Sequence, residues 1–421
     1  MASYKTRFLI LGGGLAGLSA GFKLKQKNLD FILLEARDRL GGRVWTEKLP
    51  GSDLHFELGG EWIGKNHLEI IELARFFKLE LIEHTFKVST FINNYYIKDK
   101  PYYYNQVWEK QLNDFLTKID NLEDLDKLSW EEFLILDGIN QHDLVLKNLI
   151  DSNDFGEDIS QVSARIVVED YLAASWSHNM DLTVKNGNST LIAALAKFIG
   201  SQNINLNRQV IEVVQTEQGC IVWDNLGNRY ETEKIICTLP TYAICKINFS
   251  PDIPESQKAA LNKLQYGRIN KTAVLFNNKF WGEESFELVT DKLPHYIYHS
   301  SKRQISNQGI LISYATGDKA SEMSLFNKSE QEAEIGLILS NIFPAKQITA
   351  LDSISYYWGN DQYTNGAYAI YKPNQYNLFD ILSKSFFNIY FAGEHLAKEQ
   401  GYMEGAVQSS FNAVMDMLLS F

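Results

Sequence analysis

The segment Arg7–Arg43, RFLILGGGLAGLSAGFKLKQKNLDFILLEARDRLGGR, decides the fold. Its apolar run Phe8–Leu11 ends at glycines, which predicts a short buried β-strand. Gly12, Gly14 and Gly17 then form the pattern G-x-G-x-x-G, which joins such a strand to a helix. The first glycine permits a tight turn, the second lets the backbone approach a pyrophosphate, and the third lets the helix pack closely on the strand. The segment therefore predicts a Rossmann-like nucleotide site.

An acidic residue follows at the expected place. A second predicted strand, Asp30–Leu34, ends at Glu35, where a carboxylate that binds ribose hydroxyls is expected. Glu35 would repel a 2′-phosphate, which disfavours NADP. The alternative is an ordinary glycine-rich loop, and the ordered succession of strand, turn, helix, strand and acid argues against it.

The same segment continues through Arg37 into a second glycine pair, Gly41–Gly42, followed by Arg43. It resembles the extended N-terminal signature of the FAD-binding flavoprotein oxidase superfamily, G-G-G-x-x-G…L-E-A-R-x-R-x-G-G-R. NAD-only dehydrogenases do not usually carry the G-G-R extension. Arg43 could be a surface arginine, but two glycines beside a cation favour a nest of backbone N–H groups that binds an anion.

Composition places the chain among soluble globular proteins. Its 421 residues are enough for two domains, with 45% hydrophobic and 22% charged residues. The net charge of −12 argues against nucleic acid and anionic membranes and mildly favours cationic substrates. Cys220, Cys237 and Cys245 show no metal-binding spacing and no disulfide framework. With no secretory segment and no apolar run of membrane-spanning length, the expected location is cytoplasmic.

Two C-terminal segments carry the most specific signal. One is WGNDQYTNGAY at 358–368, and the other comprises YFAGEH at 390–395 and GYMEGA at 401–406. Together with the N-terminal signature they resemble the flavin-containing amine oxidase family, which includes monoamine, polyamine and L-amino-acid oxidases. The resemblance covers nearly the whole chain, and GYMEGA matches the monoamine oxidase branch best.

This resemblance implies an α/β chain with two domains (α+β in its overall arrangement), of the glutathione-reductase/amine-oxidase type. A Rossmann-like FAD-binding domain would comprise 1–84, 186–265 and 356–421. An inserted substrate-binding domain would comprise 85–185 and 266–355. The first domain would include a three-stranded meander over 209–239, in which Val210 offers its backbone to the adenine or is simply a strand residue.

Several features of the second domain are readable from local pattern. Thr90–Ile97 predicts a hairpin around Asn93–Asn94, and Ser129–Glu132 fits a helix capping box. A dense group of aromatic residues is expected to be mostly core, with a minority as candidates for an apolar substrate cavity: Tyr95, Tyr96, Tyr102, Tyr103, Tyr104 and Trp108.

The family resemblance also implies roles for individual residues. Tyr368 and Tyr402 would form an aromatic cage that guides the amine to the flavin, although each alone could be a core aromatic. Lys271 would reach flavin N5 through a water and assist reoxidation by oxygen; the alternative is a lysine on an edge strand. A helix N-terminus at Tyr402–Met403 would stabilise the reduced flavin. Glu394 would contact ribityl hydroxyls.

Departures from the family pattern narrow the prediction. Ala367 occupies the position of the cysteine that binds flavin covalently in monoamine oxidases, so we expect non-covalent FAD. Gly59 and Gly60 suit a backbone that passes close to a flat ligand. Glu61 follows them where L-amino-acid oxidases carry an arginine, which disfavours α-amino acids. Glu61 could face a second amino group, be solvated, or bond to the backbone.

The sequence therefore predicts an FAD-dependent oxidase that converts a primary amine with an apolar or aromatic tail to an imine, which hydrolyses to an aldehyde. Oxygen would be reduced to hydrogen peroxide. A polyamine or diamine oxidase is the nearer alternative, followed by another FAD-dependent oxidase or desaturase and a flavin-bound scaffold without turnover. No metal, nucleic acid or membrane partner is expected, and a homodimer is left open. His178 and His395 are expected to be structural or peripheral.

Overall fold

The structure of the protein is a computed structural model, and the description here is of residues 2–98, 122–172, 180–282, 285–397 and 400–420. Tyr102, Tyr103, Tyr104, Trp108 and His178 lie outside the described residues. The predicted α/β character is confirmed by the elements that follow.

Strands and helices are interspersed along the chain, with runs of consecutive strands such as β10–β12 and β15–β18. In chain order they are β1 (Ser3–Leu11), β2 (Phe31–Leu34), β3 (Thr46–Lys48), β4 (His55–Glu57), β5 (Leu81–Glu83), β6 (Lys87–Ile92), β7 (Tyr95–Ile97), β8 (Leu182–Val184), β9 (Ile204–Asn205), β10 (Val210–Thr216), β11 (Gly219–Asp224), β12 (Arg229–Cys237), β13 (Asn248–Ser250), β14 (Gln265–Tyr266), β15 (Ile269–Phe276), β16 (Phe286–Thr290), β17 (Tyr296–His299), β18 (Gly309–Thr316), β19 (Ala350–Tyr357), β20 (Ala369–Ile370) and β21 (Ile389–Phe391).

The α-helices are α1 (Leu15–Gln26), α2 (Leu68–Phe76), α3 (Trp130–Leu136), α4 (Gln141–Phe155), α5 (Ala164–Leu172), α6 (Ser189–Ile199), α7 (Thr241–Ile244), α8 (Glu255–Lys263), α9 (Gly317–Met323), α10 (Lys328–Ile342), α11 (Leu378–Leu382) and α12 (Met403–Leu419). Short 3-10 helices occupy Leu122–Lys127, Ile159–Gln161, Ser201–Asn203, Trp358–Asn360 and Glu394–Leu396. Within the described ranges, none of the helices has the length and hydropathy that crossing a membrane requires.

The first sheet carries the glycine turn. Its strand order is β13-β10-β11-β12-β1-β2-β9, with β21 also paired to β12. Strand β1 runs parallel to both β2 and β12, and Phe8, Leu9 and Ile10 are fully buried, as expected for a strand covered on both faces. Strands β10, β11 and β12 pair antiparallel, so the predicted meander is present.

The turn after β1 explains two of its glycines. A Cβ on Gly17 would lie 1.9 Å from the carbonyl oxygen of Gly12, so only glycine lets α1 approach the strand this closely. Gly12 itself has φ +103°, a conformation that other L-residues rarely adopt. Both observations match the packing reasons that the sequence pattern predicted.

The second sheet has the order β19-β15-β18-β17-β16-β6-β7. Strand β15 lies between β18 and β19 and is buried throughout, so Lys271 is on an inner strand and the edge-strand explanation for it is wrong. The hairpin predicted around Asn93–Asn94 is confirmed by the pairing of β6 with β7. Ser129 and Glu132 form the predicted capping box at α3.

The two sheets draw on different parts of the chain. All strands of the first come from 1–84, 186–265 and 356–421. Strands of the second come from 85–185 and 266–355, with β19 extending two residues further. This separation supports our proposed division into two interleaved domains.

Candidate active site

A cavity of about 670 Å³ extends from the glycine turn to the inner face of the second sheet. It brings together almost every residue that the sequence singled out. The predicted site residues that line it are Gly12, Gly14, Glu35, Arg37, Gly42, Arg43, Gly59, Gly60, Glu61, Val210, Lys271, Ala367, Tyr368, Glu394, Tyr402 and Met403. Gly17 is a packing residue under the turn and does not line the cavity.

The end of the cavity near β1 has the features that a dinucleotide needs. A Cβ on Gly14 would meet no atom within 4 Å, so open space lies directly against the backbone there. Gly41 and Gly42 have φ +98° and +56°, as in the backbone concavities that bind anions. The residues present therefore fit the pyrophosphate of a dinucleotide such as FAD.

Glu35 is oriented by the backbone on both sides. Its Oε2 accepts a hydrogen bond from the Gly13 N–H at 2.6 Å, and its Oε1 accepts one from the Arg37 N–H at 2.8 Å. Burial raises the pKa of Glu35 despite these two hydrogen bonds. The carboxylate is thus held at the end of β2, facing the cavity where a ribose is expected.

Two ion pairs tie the nucleotide end to the C-terminal motifs, and sequence reasoning missed both. Arg37 contacts Asp361 at 2.6 Å, and Asp361 also accepts hydrogen bonds from Tyr356, Tyr363 and Thr364. Burial alone would raise the pKa of Asp361, but the hydrogen bonds from Arg37 and Tyr356 outweigh it and hold that pKa well below its usual range. The WGND motif is therefore anchored to the end of β2.

The second pair joins Arg43 to Glu394 at 2.6 Å. Glu394 also accepts hydrogen bonds from the N–H groups of Ala369, at 3.2 Å, and Gly401, at 2.9 Å. The carboxylate thus holds three segments together and neutralises Arg43. Its contact with ribityl hydroxyls stays a prediction.

Tyr368 and Tyr402 are brought together at the far end of the cavity. A Cβ on Gly401 would lie 2.9 Å from the ring of Tyr368, and Gly401 has φ +82°, so glycine is required for the chain to pass this ring. The Tyr368 hydroxyl donates to the Asn153 carbonyl at 2.7 Å. Burial raises the pKa of Tyr368 well above its ordinary value, so its phenol is neutral.

Helix α12 begins next to these rings. Tyr402 is its N-cap residue and makes no hydrogen bond from its side chain to the first turn. Tyr402 also packs against His67, with ring centroids 5.4 Å apart. Because Tyr402 and Met403 line the cavity, the positive end of the helix dipole is directed at it.

Lys271 and Glu61 form a buried ion pair, with 3.0 Å between Nζ and Oε2. Glu61 Oε1 lies 2.9 Å from His84 Nε2, and the Tyr298 hydroxyl donates to Oε2. Glu61 is 3% exposed and both of its carboxylate oxygens contact side chains, so the solvated and backbone-bonded alternatives are wrong. Burial would raise the pKa of Glu61, but Lys271 and His84 lower it to about 2.

Lys271 has a full set of hydrogen bonds. Besides Glu61, its Nζ donates to the carbonyls of Gly59, at 3.0 Å, and Glu57, at 3.3 Å. An ammonium has three N–H donors, so all three are used. The family resemblance implies that Lys271 also contacts a water. That water would have to replace one of these three hydrogen bonds, and the hydrogen bond to the Glu57 carbonyl is the longest of them.

The sequence pattern did not indicate several other residues at this end of the cavity, because the pattern around each of them is weak. Strands β16, β17 and β18 place alternate residues on the cavity face, and that period of two becomes useful only when the strand order is known. Glu287, Tyr296 and Tyr314 line the cavity from these strands, whereas His84 lines it from the segment before β6, and Asn153 and Asp154 line it from α4. His395 is buried outside the cavity lining, and burial lowers its pKa to about 4, which agrees with a structural role.

A cavity that joins a nucleotide-binding turn to a pair of tyrosines defines the class as a flavin-dependent oxidoreductase. The sequence model described as flavin containing amine oxidoreductase matches residues 15–418. The chain belongs to this family of amine oxidases, and a flavin cofactor follows from that membership.

Similar proteins align with this chain over nearly its whole length. Flavin-containing amine oxidase B of Homo sapiens is 24% identical, over 99% of this chain and 86% of the relative. A cofactor-binding redesign of putrescine oxidase superposes with a TM-score of 0.88 at 21% identity, covering 100% of both chains. Cyclohexylamine oxidase from Brevibacterium oxydans gives a TM-score of 0.88 at 19% identity, covering 99% of both chains. These structural similarities confirm the fold.

Proposed function

We propose that this protein oxidises a primary amine with a largely apolar tail to the imine, using non-covalent FAD and reducing oxygen to hydrogen peroxide. The observation that carries the proposal is the joint placement of Tyr368, Tyr402 and Lys271 at one end of a cavity whose other end is the glycine turn. Bound FAD would supply the acceptor for the hydride equivalent of the amine.

Side-chain and backbone groups that line the cavity would hold the cofactor. Glu35 is placed for ribose hydroxyls, and Gly14 leaves open space beside its backbone for the pyrophosphate. The first turn of α12 faces the region where negative charge would develop. Val210 lines the cavity at the adenine end of the proposed site.

Non-covalent attachment is supported by the cysteine positions. Ala367 lines the cavity where a flavin-linking cysteine would stand, and none of Cys220, Cys237 and Cys245 lines it. Burial also raises the pKa of the Cys220 and Cys237 thiols to about 12, which suppresses their reactivity.

The substrate end favours an amine over an α-amino acid. The neutral rings of Tyr368 and Tyr402 would exclude water and orient the amine. The arginines among the described lining residues are Arg37, Arg43 and Arg208, and each is paired with a carboxylate. Among those residues an arginine that could clamp a substrate carboxylate is therefore lacking, whereas apolar side chains such as Phe86, Val88 and Val289 suit an apolar tail.

Lys271 would act from a fixed position. Its ion pair with Glu61 and its two carbonyl contacts hold Nζ at the cavity wall. Exchange of the long contact to Glu57 for a water would free one donor toward the flavin without breaking the ion pair. Glu61 would thus be a positioning residue for Lys271.

The proposal is tested by anaerobic reduction of the purified flavoprotein, followed as bleaching of the flavin band near ~450 nm. The panel contains phenethylamine, tyramine, n-hexylamine and several L-amino acids. We expect bleaching by the amines and none by the amino acids. Bleaching by amino acids alone would contradict the substrate class, and a flavin that no amine reduces would favour a desaturase or a scaffold without turnover.

A further inference from the structure

Asn188 is a buried polar residue that the proposed mechanism does not use. It is 1% exposed and directly precedes the first turn of α6. An asparagine at such a position usually caps the helix, but the Asn188 side chain makes no capping hydrogen bond to α6. It does not line the cavity either. Its amide therefore serves another part of the structure.

All polar atoms of the Asn188 amide have partners outside α6. Nδ2 donates to the carbonyls of Gly60, at 3.0 Å, and Glu61, at 2.8 Å. Oδ1 accepts hydrogen bonds from the Val184 N–H, at 3.0 Å, and the Thr183 hydroxyl, at 3.3 Å. An amide has two N–H donors and an oxygen with two lone pairs, so this set is complete. Because carbonyls only accept and the Val184 N–H only donates, the orientation of the amide is fixed.

The two carbonyls belong to a segment of the cavity wall, Gly59–Glu61. All of its residues line the cavity. The same segment holds Lys271, whose Nζ donates to the Gly59 carbonyl at 3.0 Å and pairs with Glu61 Oε2 at 3.0 Å. Asn188 therefore holds the backbone from which both of these contacts to Lys271 are made.

Asn188 also contacts the beginning of α12. Its Nδ2 lies 3.9 Å from Met403 Sδ, and Met403 is the first residue of that helix and lines the cavity. A Cβ on Gly60 would lie 3.4 Å from Met403 Cγ, so there is little space between the wall and the helix at this point. One amide thus joins the Gly59–Glu61 segment to the helix end that we propose to face the flavin.

The start of α6 also holds the hairpin that leads into this segment. The Asn188 N–H donates to Glu57 Oε1 at 2.8 Å. Ser189 and Thr46 exchange two hydrogen bonds, at 2.9 and 2.8 Å, in which the backbone N–H of each donates to the hydroxyl of the other. Thr46 and Glu57 are paired across β3 and β4, and Gly59 closely follows β4. The segment is therefore anchored at its beginning and along its length from one helix start.

We propose that Asn188 is a positioning residue for the cavity wall, which sets where the Gly59–Glu61 segment and Lys271 lie relative to the first turn of α12. The inference rests on the proposed function, in which Lys271 and that helix turn both act on the flavin. The alternative is that Asn188 only adds stability, as a buried amide with satisfied hydrogen bonds does. The two explanations differ in what removal of the amide does to the flavin.

Gln331 on α10 provides a matched control. It is 5% exposed, does not line the cavity, and donates through Nε2 to the carbonyls of Met323, at 2.8 Å, and Phe326, at 3.3 Å. Its Oε1 accepts from the Thr272 hydroxyl at 3.4 Å, a contact that a glutamate keeps. Gln331→Glu and Asn188→Asp therefore make the same chemical change, since each keeps the shape of a buried amide and removes two donors to carbonyls.

The test compares these variants as flavin-loaded proteins. We would measure the thermal midpoint, the visible spectrum of the bound flavin, and the rate at which diluted protein releases FAD, followed by the fluorescence of free flavin. Both variants should have a lower thermal midpoint. Asn188→Asp should also release FAD ~10–100-fold faster and change the flavin spectrum, because two hydrogen bonds to the wall are lost. Gln331→Glu should match the wild type in both flavin measurements.

A double-mutant cycle shows whether Asn188 acts through Lys271. After reduction with stoichiometric dithionite, reoxidation of the flavin by oxygen would be timed for wild type, Asn188→Asp, Lys271→Met and the double variant. Asn188→Asp should slow reoxidation ~10-fold in the wild-type background and less than ~2-fold in the Lys271→Met background, as expected for residues that act together. Equal slowing in both backgrounds, or none in either, would overturn action through Lys271.

The outcomes separate this inference from the proposed function. If flavin release and the flavin spectrum of Asn188→Asp equal those of Gln331→Glu, the positioning role is overturned, whatever the substrate. A wild-type flavin that no amine reduces would overturn the proposed function, and flavin release would still test Asn188. If Asn188→Asp does not fold, Asn188→Ala removes the amide without adding a charge, and wild-type flavin release and spectrum in that variant would overturn the role.

Discussion

Glu61 and Lys271 should depend strongly on each other for their effect on stability, because removing either one leaves the other charge buried without its partner. Both side chains are 3% exposed, and their atoms are 3.0 Å apart. The pKa of Glu61 falls from 4.5 to about 2, and at about 1.4 kcal/mol per pKa unit this corresponds to ~3 kcal/mol in favour of the ionised carboxylate. Glu61→Gln would leave the Lys271 ammonium buried without its anion.

A double-mutant cycle measures this interaction. Glu61→Gln, Lys271→Met and the double variant would be unfolded in urea, and we expect a coupling free energy of ~3 kcal/mol. The matched control is the exposed pair Arg7–Glu233, at 3.2 Å, for which ~0–1 kcal/mol is expected. A coupling below ~0.5 kcal/mol at Glu61–Lys271 would refute the reasoning.

The pH dependence has a definite sign. Because the folded-state pKa of Glu61 is lowered, its stabilisation is complete above the unfolded pKa near 4.5 and is lost as the pH falls through about 2. Between pH 6 and pH 5, below the pKa of about 7 that burial and Glu61 give to Glu57, Glu61→Gln should therefore lower the free energy of unfolding by the same amount. If the difference in the free energy of unfolding between wild type and Glu61→Gln already changes in this pH range, a group other than Glu61 causes the change.

Two further predictions can be checked on purified protein. Tyr402→Leu should slow anaerobic flavin reduction by amines ~10–100-fold through loss of the aromatic cage, whereas a desaturase should be almost unaffected. Acid denaturation followed by ultrafiltration should release FAD into the filtrate, because Ala367 cannot form a covalent link; flavin retained with the protein would contradict this.

The sequence alone determined the features that depend on local backbone geometry. Gly12 needs positive φ, Gly17 has no room for a Cβ, and Glu35 follows β2 directly, so each requirement is visible in a few adjacent residues. The same holds for the hairpin at Asn93–Asn94, where two consecutive residues with positive φ form the turn. Family membership followed from such motifs, because they are contiguous in the chain.

Only the tertiary structure decided which charges meet. Arg43 and Glu394 are 351 positions apart and meet because β2 and β21 belong to the same sheet. Lys271 and Glu61 are 210 positions apart, and they meet because β15 of the second sheet lies against the segment after β4. Strand order likewise placed Lys271 on an inner strand and Glu287 on the cavity wall, although neither position is marked in its own segment. The physical reason is that the pKa and partner of a buried charge depend on groups brought near it by sheet register, which is set by contacts distant in the chain.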